Sequence, residues 1–279
     1  MAVQVVKLGP LQAEALQTFL AREPVENLYL LTLLEELGIT PAPDRQRGFS
    51  FFGCFDGDSL RGALYAAETG VITPSAGTPA EVAAIAQHLV GTVQLRYSIG
   101  ERSSVHSLVR HLCSNRPRLM RPHRLLSVSA DGLGPFVTPA LRLATEGDLP
   151  ALLPLAAGAV REALERDPMR ERADPFAARV LQRVRGQRTY VMEVDGKLVS
   201  KIDVKGRSQF GAELDGLYTA PEERLRGYAT LVLGQVSRHL LSSLPRLALR
   251  VDEASEGMLT AARKVGYGDN QTEQLLVLG

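Results

Sequence analysis

The chain repeats one order of secondary-structure patterns, and this repetition limits what it can fold into. An extended run, an Asp-Gly turn and a second extended run occur at Asp56-Gly57 and again at Asp195-Gly196. Helical runs at 11–20 and 148–157, and apolar runs at 124–128 and 274–278, match in the same way. Each half therefore predicts the order β-α-α-β-β-β-α-β-α-β. The offset between matches grows along the chain, which indicates an insertion in the second half after its hairpin.

The chain has 279 residues, which exceeds the usual size of one domain and favours two. A turn-rich segment, Asp131-Gly132-Leu133-Gly134-Pro135, lies between the repeats and is too short for a free tether. We therefore predict one domain at 1–131 and a second at 138–279.

A strand, a basic loop and a helix follow one another in the second half. The extended run is Ala212–Thr219, the loop is Arg224–Ala229, and an apolar helical run continues from Thr230 to Val236. The N–H groups and the positive dipole end at a helix N-terminus favour an anion, here a phosphate or pyrophosphate. Gly227 allows close approach of the backbone, and Arg224 and Arg226 add charge. A basic turn that merely starts a surface helix is the alternative for this hexapeptide alone.

The order Arg-x-x-Gly-x-Ala after a strand resembles the acyl-CoA pyrophosphate loop of the GNAT acetyltransferase superfamily. The preceding Leu217-Tyr218-Thr219-Ala220-Pro221 resembles the end of that family's fourth strand, and Val265-Gly266-Tyr267 resembles the end of a later helix. The resemblance covers residues 140–279. It implies an α/β (α+β) fold of two GNAT-like lobes, each a mixed, mostly antiparallel sheet flanked by helices. Such tandem arrangements often contain one lobe that binds no CoA.

The resemblance implies acetyl-CoA as cosubstrate and an amine as acceptor, either a small molecule or a peptide. The residues expected to bind the cofactor are Leu217, Tyr218, Thr219, Arg224, Leu225, Arg226, Gly227, Tyr228, Ala229, Thr230 and Ser255. In the first half the corresponding turn is Ser75-Ala76-Gly77-Thr78, which lacks the motif. We expect Thr78 to cap a helix whose first position is Pro79, and this half to bind no CoA.

Transfer to an amine needs a proton acceptor, because an ammonium group has no lone pair. Glu213 lies where several members of the superfamily carry their general base, so it is the first candidate and Asp215 the second. Two positions apart on a strand, they are expected to share a face, and if both face the cleft their proximity should raise the pKa of one. The alternative is that both carboxylates lie on a solvated strand face.

The last helix departs from the family pattern. The position of the usual tyrosine, which protonates the leaving thiolate, is occupied by Ala262, and the usual asparagine position by Ser255. Tyr218, Tyr267 or water could replace the tyrosine, although such tyrosines more often pack in a core. The sequence therefore leaves two functions open: an N-acetyltransferase, or a non-catalytic acyl-CoA-binding sensor or scaffold.

Composition argues against other classes of function. The net charge of +1 gives no sign of a nucleic-acid or membrane-surface binder, and no apolar run approaches the length of a membrane span. Two cysteines and five scattered histidines predict no metal site and no disulfide framework. A cytoplasmic location is the default expectation. The sequence determines neither the acceptor nor the oligomeric state.

Overall fold

The computed structural model describes residues 3–42, 48–135 and 141–279, so the predicted boundary at residue 138 lies outside the described residues. The strands are β1 (Gln4–Lys7), β2 (Phe49–Asp56), β3 (Ser59–Ala67), β4 (Ile72–Pro74), β5 (Tyr97–Glu101), β6 (Leu119–Val128), β7 (Leu141–Leu143), β8 (Thr189–Val194), β9 (Lys197–Ser208), β10 (Gly211–Thr219), β11 (Leu247–Asp252) and β12 (Gly268–Leu278). The α-helices are α1 (Ala13–Leu20), α2 (Leu28–Leu37), α3 (Pro79–His88), α4 (Arg102–Leu112), α5 (Leu149–Leu164), α6 (Pro168–Arg185), α7 (Tyr228–Leu241) and α8 (Glu256–Val265).

The order of elements in each half is the predicted one. The hairpin between β8 and β9 turns at Asp195 (φ 49°) and Gly196 (φ 75°), the positive angles that a tight two-residue hairpin requires. The second half has longer third and fourth strands: β9 and β10 have 12 and 9 residues, while β3 and β4 have 9 and 3. The predicted insertion therefore extends the strands that lead into the basic loop.

The chain divides into two compact units that differ from the predicted ranges. The first unit contains residues 1–125 and 270–279, and the second contains residues 126–269. Leu275 and Val277 of β12 are buried in the core of the first unit. Leu126 and Val128 of β6 are buried in the core of the second. The end of β6, the last strand of the first repeat, thus belongs to the second unit, and residues 270–278 of β12, the last strand of the second repeat, belong to the first unit. The predicted domains, 1–131 and 138–279, instead keep each last strand with its own repeat.

The second unit has a sheet with helices on both faces. Its strand order includes β11-β10-β9-β8-β7, in which all neighbours are antiparallel except the parallel pair β10 and β11. Apolar side chains of α7 and α8 pack on one face, among them Val236 and Leu259. Those of α5 and α6, such as Leu152 and Val180, pack in a second cluster with Val191 of β8. This arrangement confirms the expected fold class.

The first unit contains an antiparallel sheet in the order β1-β2-β3-β4 and the antiparallel pair β5 and β12. Helices α3 and α4 supply Val82, Ile85 and Leu108 to an apolar cluster of this unit. Thr78 is the residue before α3, but its side chain makes no capping hydrogen bond. A single parallel bridge, Val71 to Tyr97, connects the segments that enter β4 and β5. In the order of elements, this bridge corresponds to the parallel pair of β10 and β11 in the second unit.

One glycine in α5 fits against the strand that leads into the loop. A Cβ atom built on Gly158 would lie 2.5 Å from the hydroxyl oxygen and 2.7 Å from Cε1 of Tyr218. Replacing Gly158 by Ala is therefore expected to lower the free energy of unfolding by about 1–3 kcal/mol through overpacking. Denaturant unfolding measures this. The matched change Gly257→Ala in α8 meets no described atom within 4 Å and is expected to stabilise by up to about 1 kcal/mol. Equal effects of the two changes would contradict the prediction.

Candidate functional site

The loop between β10 and α7 has the geometry of an anion site. After Pro221–Glu223, a short 3₁₀ turn, the backbone takes positive φ at Leu225 (63°) and at Gly227 (83°), and α7 begins at Tyr228. Leu231 donates the first N–H bond of the helix, to the carbonyl of Gly227 at 3.1 Å. The N–H groups of residues 228–230 therefore have no acceptor within the helix and lie at its positive end.

The two arginines of this loop are bound by carboxylates of the chain. Arg224 donates to Glu162 of α5 at 2.6 Å and to the carbonyl of Thr219 at 3.1 Å, and its guanidinium lies 5.2 Å from the ring centre of Tyr218. Arg226 donates to Glu223 at 2.7 Å. The side chains of both ion pairs are at least partly exposed, so the pairs are weak and a phosphate could compete for either cation.

The strand before the loop leaves its parallel neighbour after a short pairing. Only Ala212–Leu214 of β10 pairs with β11, where the partners are Leu247–Leu249. Beyond these pairs, β10 continues to Thr219 and β11 continues to Asp252. We call residues 215–219 of β10 the open segment. Beyond the last pair, the open segment has no strand partner on the β11 side among the described residues, so an extended ligand can approach it there.

Glu213 does not have the setting expected of a general base. Its side chain is 3% exposed and accepts from Lys205 Nζ at 2.7 Å and from Arg250 Nη1 at 2.5 Å. Burial alone would raise the pKa of Glu213, but the charges of Arg250 and Lys205 lower it to about 2. A carboxylate that binds two cations and holds a proton this weakly is a poor proton acceptor, so the structure argues against the expected role.

Asp215 has a different environment. It is exposed, and its Oδ1 accepts from the N–H of the adjacent Gly216 at 2.7 Å. The two carboxylates therefore have separate partners: Glu213 bonds to two cations, Asp215 bonds to the backbone, and the pKa of Glu213 is lowered rather than raised. Asp215 is the carboxylate on the open segment that solvent reaches.

The other expected cofactor residues of β10 turn their side chains into the protein. Leu217 packs against the apolar core, and Tyr218 is buried with Leu155 and Ala220. Thr219 is buried, and its hydroxyl lies 3.0 Å from Ser200 Oγ. These three residues can thus offer a ligand their backbone rather than their side chains.

In α7 and α8, the remaining expected residues differ in exposure. Tyr228, Ala229 and Thr230 are half-buried, while Ser255 is exposed at the residue before α8. Ala262 is fully buried in the apolar core, so no polar group replaces the tyrosine that the family pattern has there. The hydroxyl of Tyr267 lies 2.8 Å from Ser237 Oγ, and burial raises the pKa of its phenol. Tyr267 is therefore unsuited to donate a proton to a leaving thiolate.

The corresponding loop of the first unit is occupied by the chain's own side chains. The N–H of Ala76 donates to Asn27 Oδ1 at 2.9 Å, and the N–H of Gly77 donates to Glu101 Oε2 at 2.8 Å. Glu101 also accepts from the hydroxyls of Ser103 and Ser104. An amide oxygen and a carboxylate thus occupy the positions in which a phosphate would accept.

Sequence reasoning missed the residues that determine the state of Glu213. Lys205 precedes it by eight residues and Arg250 follows it by 37. Arg250 lies two positions beyond Ala248, the parallel partner of Glu213, and so projects on the same face. A strand register would have revealed this pairing, but a single sequence does not supply one.

The described residues contain neither a candidate membrane span nor a candidate metal-binding group. None of the helices there combines the length and the hydropathy that a membrane span requires. The same residues include no group of three or more His, Cys, Asp or Glu side chains placed to bind a metal ion.

Residues 154–267 match the model of the acetyltransferase (GNAT) family. This range contains β10, the loop, α7, β11 and α8, and so includes the whole candidate site. No curated protein sequence matches the chain.

Solved structures resemble the chain over nearly its whole length. An acetyltransferase of the GNAT family from Colwellia psychrerythraea has a TM-score of 0.60 at 12% identity, with 99% of this chain and 100% of that chain covered. A Drosophila protein has a TM-score of 0.69 at 13% identity, with 99% and 98% covered. A tandem GNAT protein from the clavulanic acid biosynthesis pathway has a TM-score of 0.55 at 14% identity, with 99% and 97% covered. At such identities the likeness shows the fold alone.

Proposed function

We propose that the second unit transfers an acetyl group from acetyl-CoA to an amine, because residues 154–267 match the model of the acetyltransferase (GNAT) family. The family and the fold support acyl-CoA-dependent acyl transfer in general. The acetyl group, the amine acceptor (a small molecule or a peptide) and the cytoplasmic location belong to the proposal.

The geometry of the loop is the observation that carries this proposal. Three helix-terminal N–H groups, the positive φ of Gly227 and two arginines converge after a strand whose open segment has left its neighbour. A nucleotide pyrophosphate fits the loop, and the extended pantetheine arm fits the edge of the open segment. One continuous stretch of the chain thus offers hydrogen-bonding groups to both the pyrophosphate and the pantetheine arm of acyl-CoA.

The reaction needs four events, and the chain offers groups for them. The amine nitrogen attacks the thioester carbonyl, so a C–N bond forms and the C–S bond breaks. Backbone N–H groups of the open segment polarise the carbonyl oxygen. Asp215, rather than Glu213, accepts the proton that the amine loses, directly or through a water. The leaving thiolate takes a proton from water, because the hydroxyl of Tyr218 is buried next to Gly158 of α5.

Two measurements test the function. Calorimetric titration measures binding of acetyl-CoA, and a thiol reagent measures release of CoA in the presence of a panel of amines. Amine-dependent release of thiol supports the enzyme. Tight binding without release for any amine supports the alternative, an acyl-CoA sensor or scaffold, which the buried Ala262 at the tyrosine position favours. Absence of binding contradicts both.

A titration of the whole chain is expected to give one CoA per chain. The first unit already satisfies its loop N–H groups with Asn27 and Glu101, and a phosphate would have to displace a carboxylate held by two serines. The second unit has free helix-terminal N–H groups instead. A stoichiometry of two would contradict this prediction, as would a bound cofactor in residues 1–125.

A further inference from the structure

The open segment of β10 contains a bulge at the point where it leaves β11. Asp215 pairs with Asp203 of β9 and Tyr218 pairs with Lys201, so two residues of β10, Gly216 and Leu217, lie opposite Ile202 alone. Gly216 takes the left-handed conformation at φ 57°. A bulge of this kind re-aims the peptide groups of its strand. It therefore decides which way the open segment presents its N–H groups.

A buried group of charges lies against this bulge. Asp203 accepts from Lys201 Nζ at 2.5 Å, from Arg183 Nη1 of α6 at 2.9 Å and from Thr189 Oγ1 at 2.8 Å. We call these four residues the Lys201 cluster. The side chains of Lys201 and Asp203 are 3% and 4% exposed, whereas Arg183 is half-exposed.

The cluster contacts the bulge directly. A Cβ atom on Gly216 would lie 2.7 Å from Lys201 Nζ and 3.0 Å from Asp203 Oδ2. The ion pair thus fills the space that a side chain of residue 216 would need, and it covers the backbone at the left-handed residue. Its two members flank Ile202, the residue that the bulge faces.

A gain in folding stability does not explain why the charged side chains of Lys201 and Asp203 are buried here. A buried ion pair loses hydration, and well-packed apolar side chains of similar volume often stabilise a protein as well or better. What the pair offers is a fixed geometry, because Asp203 is oriented by Arg183 and Thr189 from two other elements. A fixed surface beneath a bulge limits the backbone angles that the bulge can adopt.

We infer that Lys201 is a positioning residue of the acyl-transfer reaction: through its pair with Asp203 it holds the bulge of β10 in the orientation that polarises the thioester carbonyl. This inference rests on the proposed function. It assigns no contact between Lys201 and the substrate. Misplacement of reacting groups by about 1 Å can cost two orders of magnitude in rate, so a modest shift of the bulge has a measurable effect.

The test uses the full chain and acetyl-CoA labelled with ¹³C at the carbonyl. Lys201→Met removes the ammonium and retains an apolar stem. The bound carbonyl band in infrared difference spectra is expected to move toward the frequency of free acetyl-CoA. The rate of thiol release, with an active amine or with water, is expected to fall about tenfold or more. The affinity for CoA without the acetyl group should stay the same, because the loop binds the phosphates. A merely structural role would lower the melting temperature and leave the band in place.

The control is Lys197→Met, a lysine at the exposed start of β9, for which neither the band nor the rate should change. If Lys201→Met does not fold, Arg183→Met takes its place, since it removes a half-exposed partner of Asp203 and should move the band in the same direction. An unmoved band with an unchanged rate in the folded variant overturns the inference alone. Failure of the unaltered protein to bind acetyl-CoA overturns the proposed function and this inference together.

Discussion

Replacement of Gly227 by glutamate is expected to weaken the binding of CoA by an order of magnitude or more. Gly227 precedes the first residue of α7 with φ 83°, a conformation in which other residues are strained. Apart from the neighbouring residues of the chain, no described residue lies within 4 Å of a Cβ built there, so the larger glutamate side chain meets no obstacle and would block the approach of a ligand to this backbone. Its negative charge would then occupy the positive end of the helix, where the phosphate is expected. Calorimetric titration with CoA measures the change.

Gly77 provides the matched control for this change. It has φ 72° in the corresponding loop of the first unit and likewise meets no described atom within 4 Å. Gly77→Glu adds the same charge and the same backbone strain, yet it should leave the affinity for CoA unaltered. Circular dichroism confirms that both variants are folded. Equal affinity of Gly227→Glu and the unaltered protein, with the fold intact, would remove the loop from the cofactor site.

Replacement of Glu213 by glutamine is expected to destabilise the protein strongly rather than to remove a catalytic base. The change leaves Lys205 and Arg250 facing a neutral amide in a buried place, where loss of one partner of an ion pair typically costs about 3–5 kcal/mol. Denaturant unfolding at neutral pH measures the loss. Asp215→Asn is the control for stability, because Asp215 is exposed and should change the free energy of unfolding little.

The dependence of stability on pH distinguishes this role further. The pKa of Glu213 is lowered from about 4.5 to about 2 in the folded protein. Its contribution is therefore complete above the unfolded value and is lost as the pH falls from about 4.5 toward 2. The unaltered protein should lose stability across this window more steeply than Glu213→Gln. An equal slope for both proteins, or a pH–rate limb near neutrality that disappears only in Glu213→Gln, would return Glu213 to the role of base.

The sequence predicted the features that depend on neighbours along the chain. The Asp195-Gly196 turn, the helix after Gly227 and the order of elements in each half follow from local conformational preferences and apolar periodicity. The same reasoning fails at Glu213, whose partners come from two other strands. It also fails at the strand ends, since residues 274–278 were correctly predicted as a strand but not placed in the first unit. Strand identity is local, whereas the choice of partner is a property of the whole fold.

The exchange of terminal strand residues has a consequence for the way the chain acquires its structure. The first unit is encoded mainly by residues 1–125, but two of its buried side chains, Leu275 and Val277, are translated near residue 279. Until those residues leave the ribosome, β5 lacks the antiparallel partner that it has in the folded protein. A part of the first unit's interior therefore stays exposed while the whole second unit is synthesised. Completion of the earlier half thus waits for the later one, which makes the two repeats interdependent in folding even where only one of them supplies the candidate cofactor site.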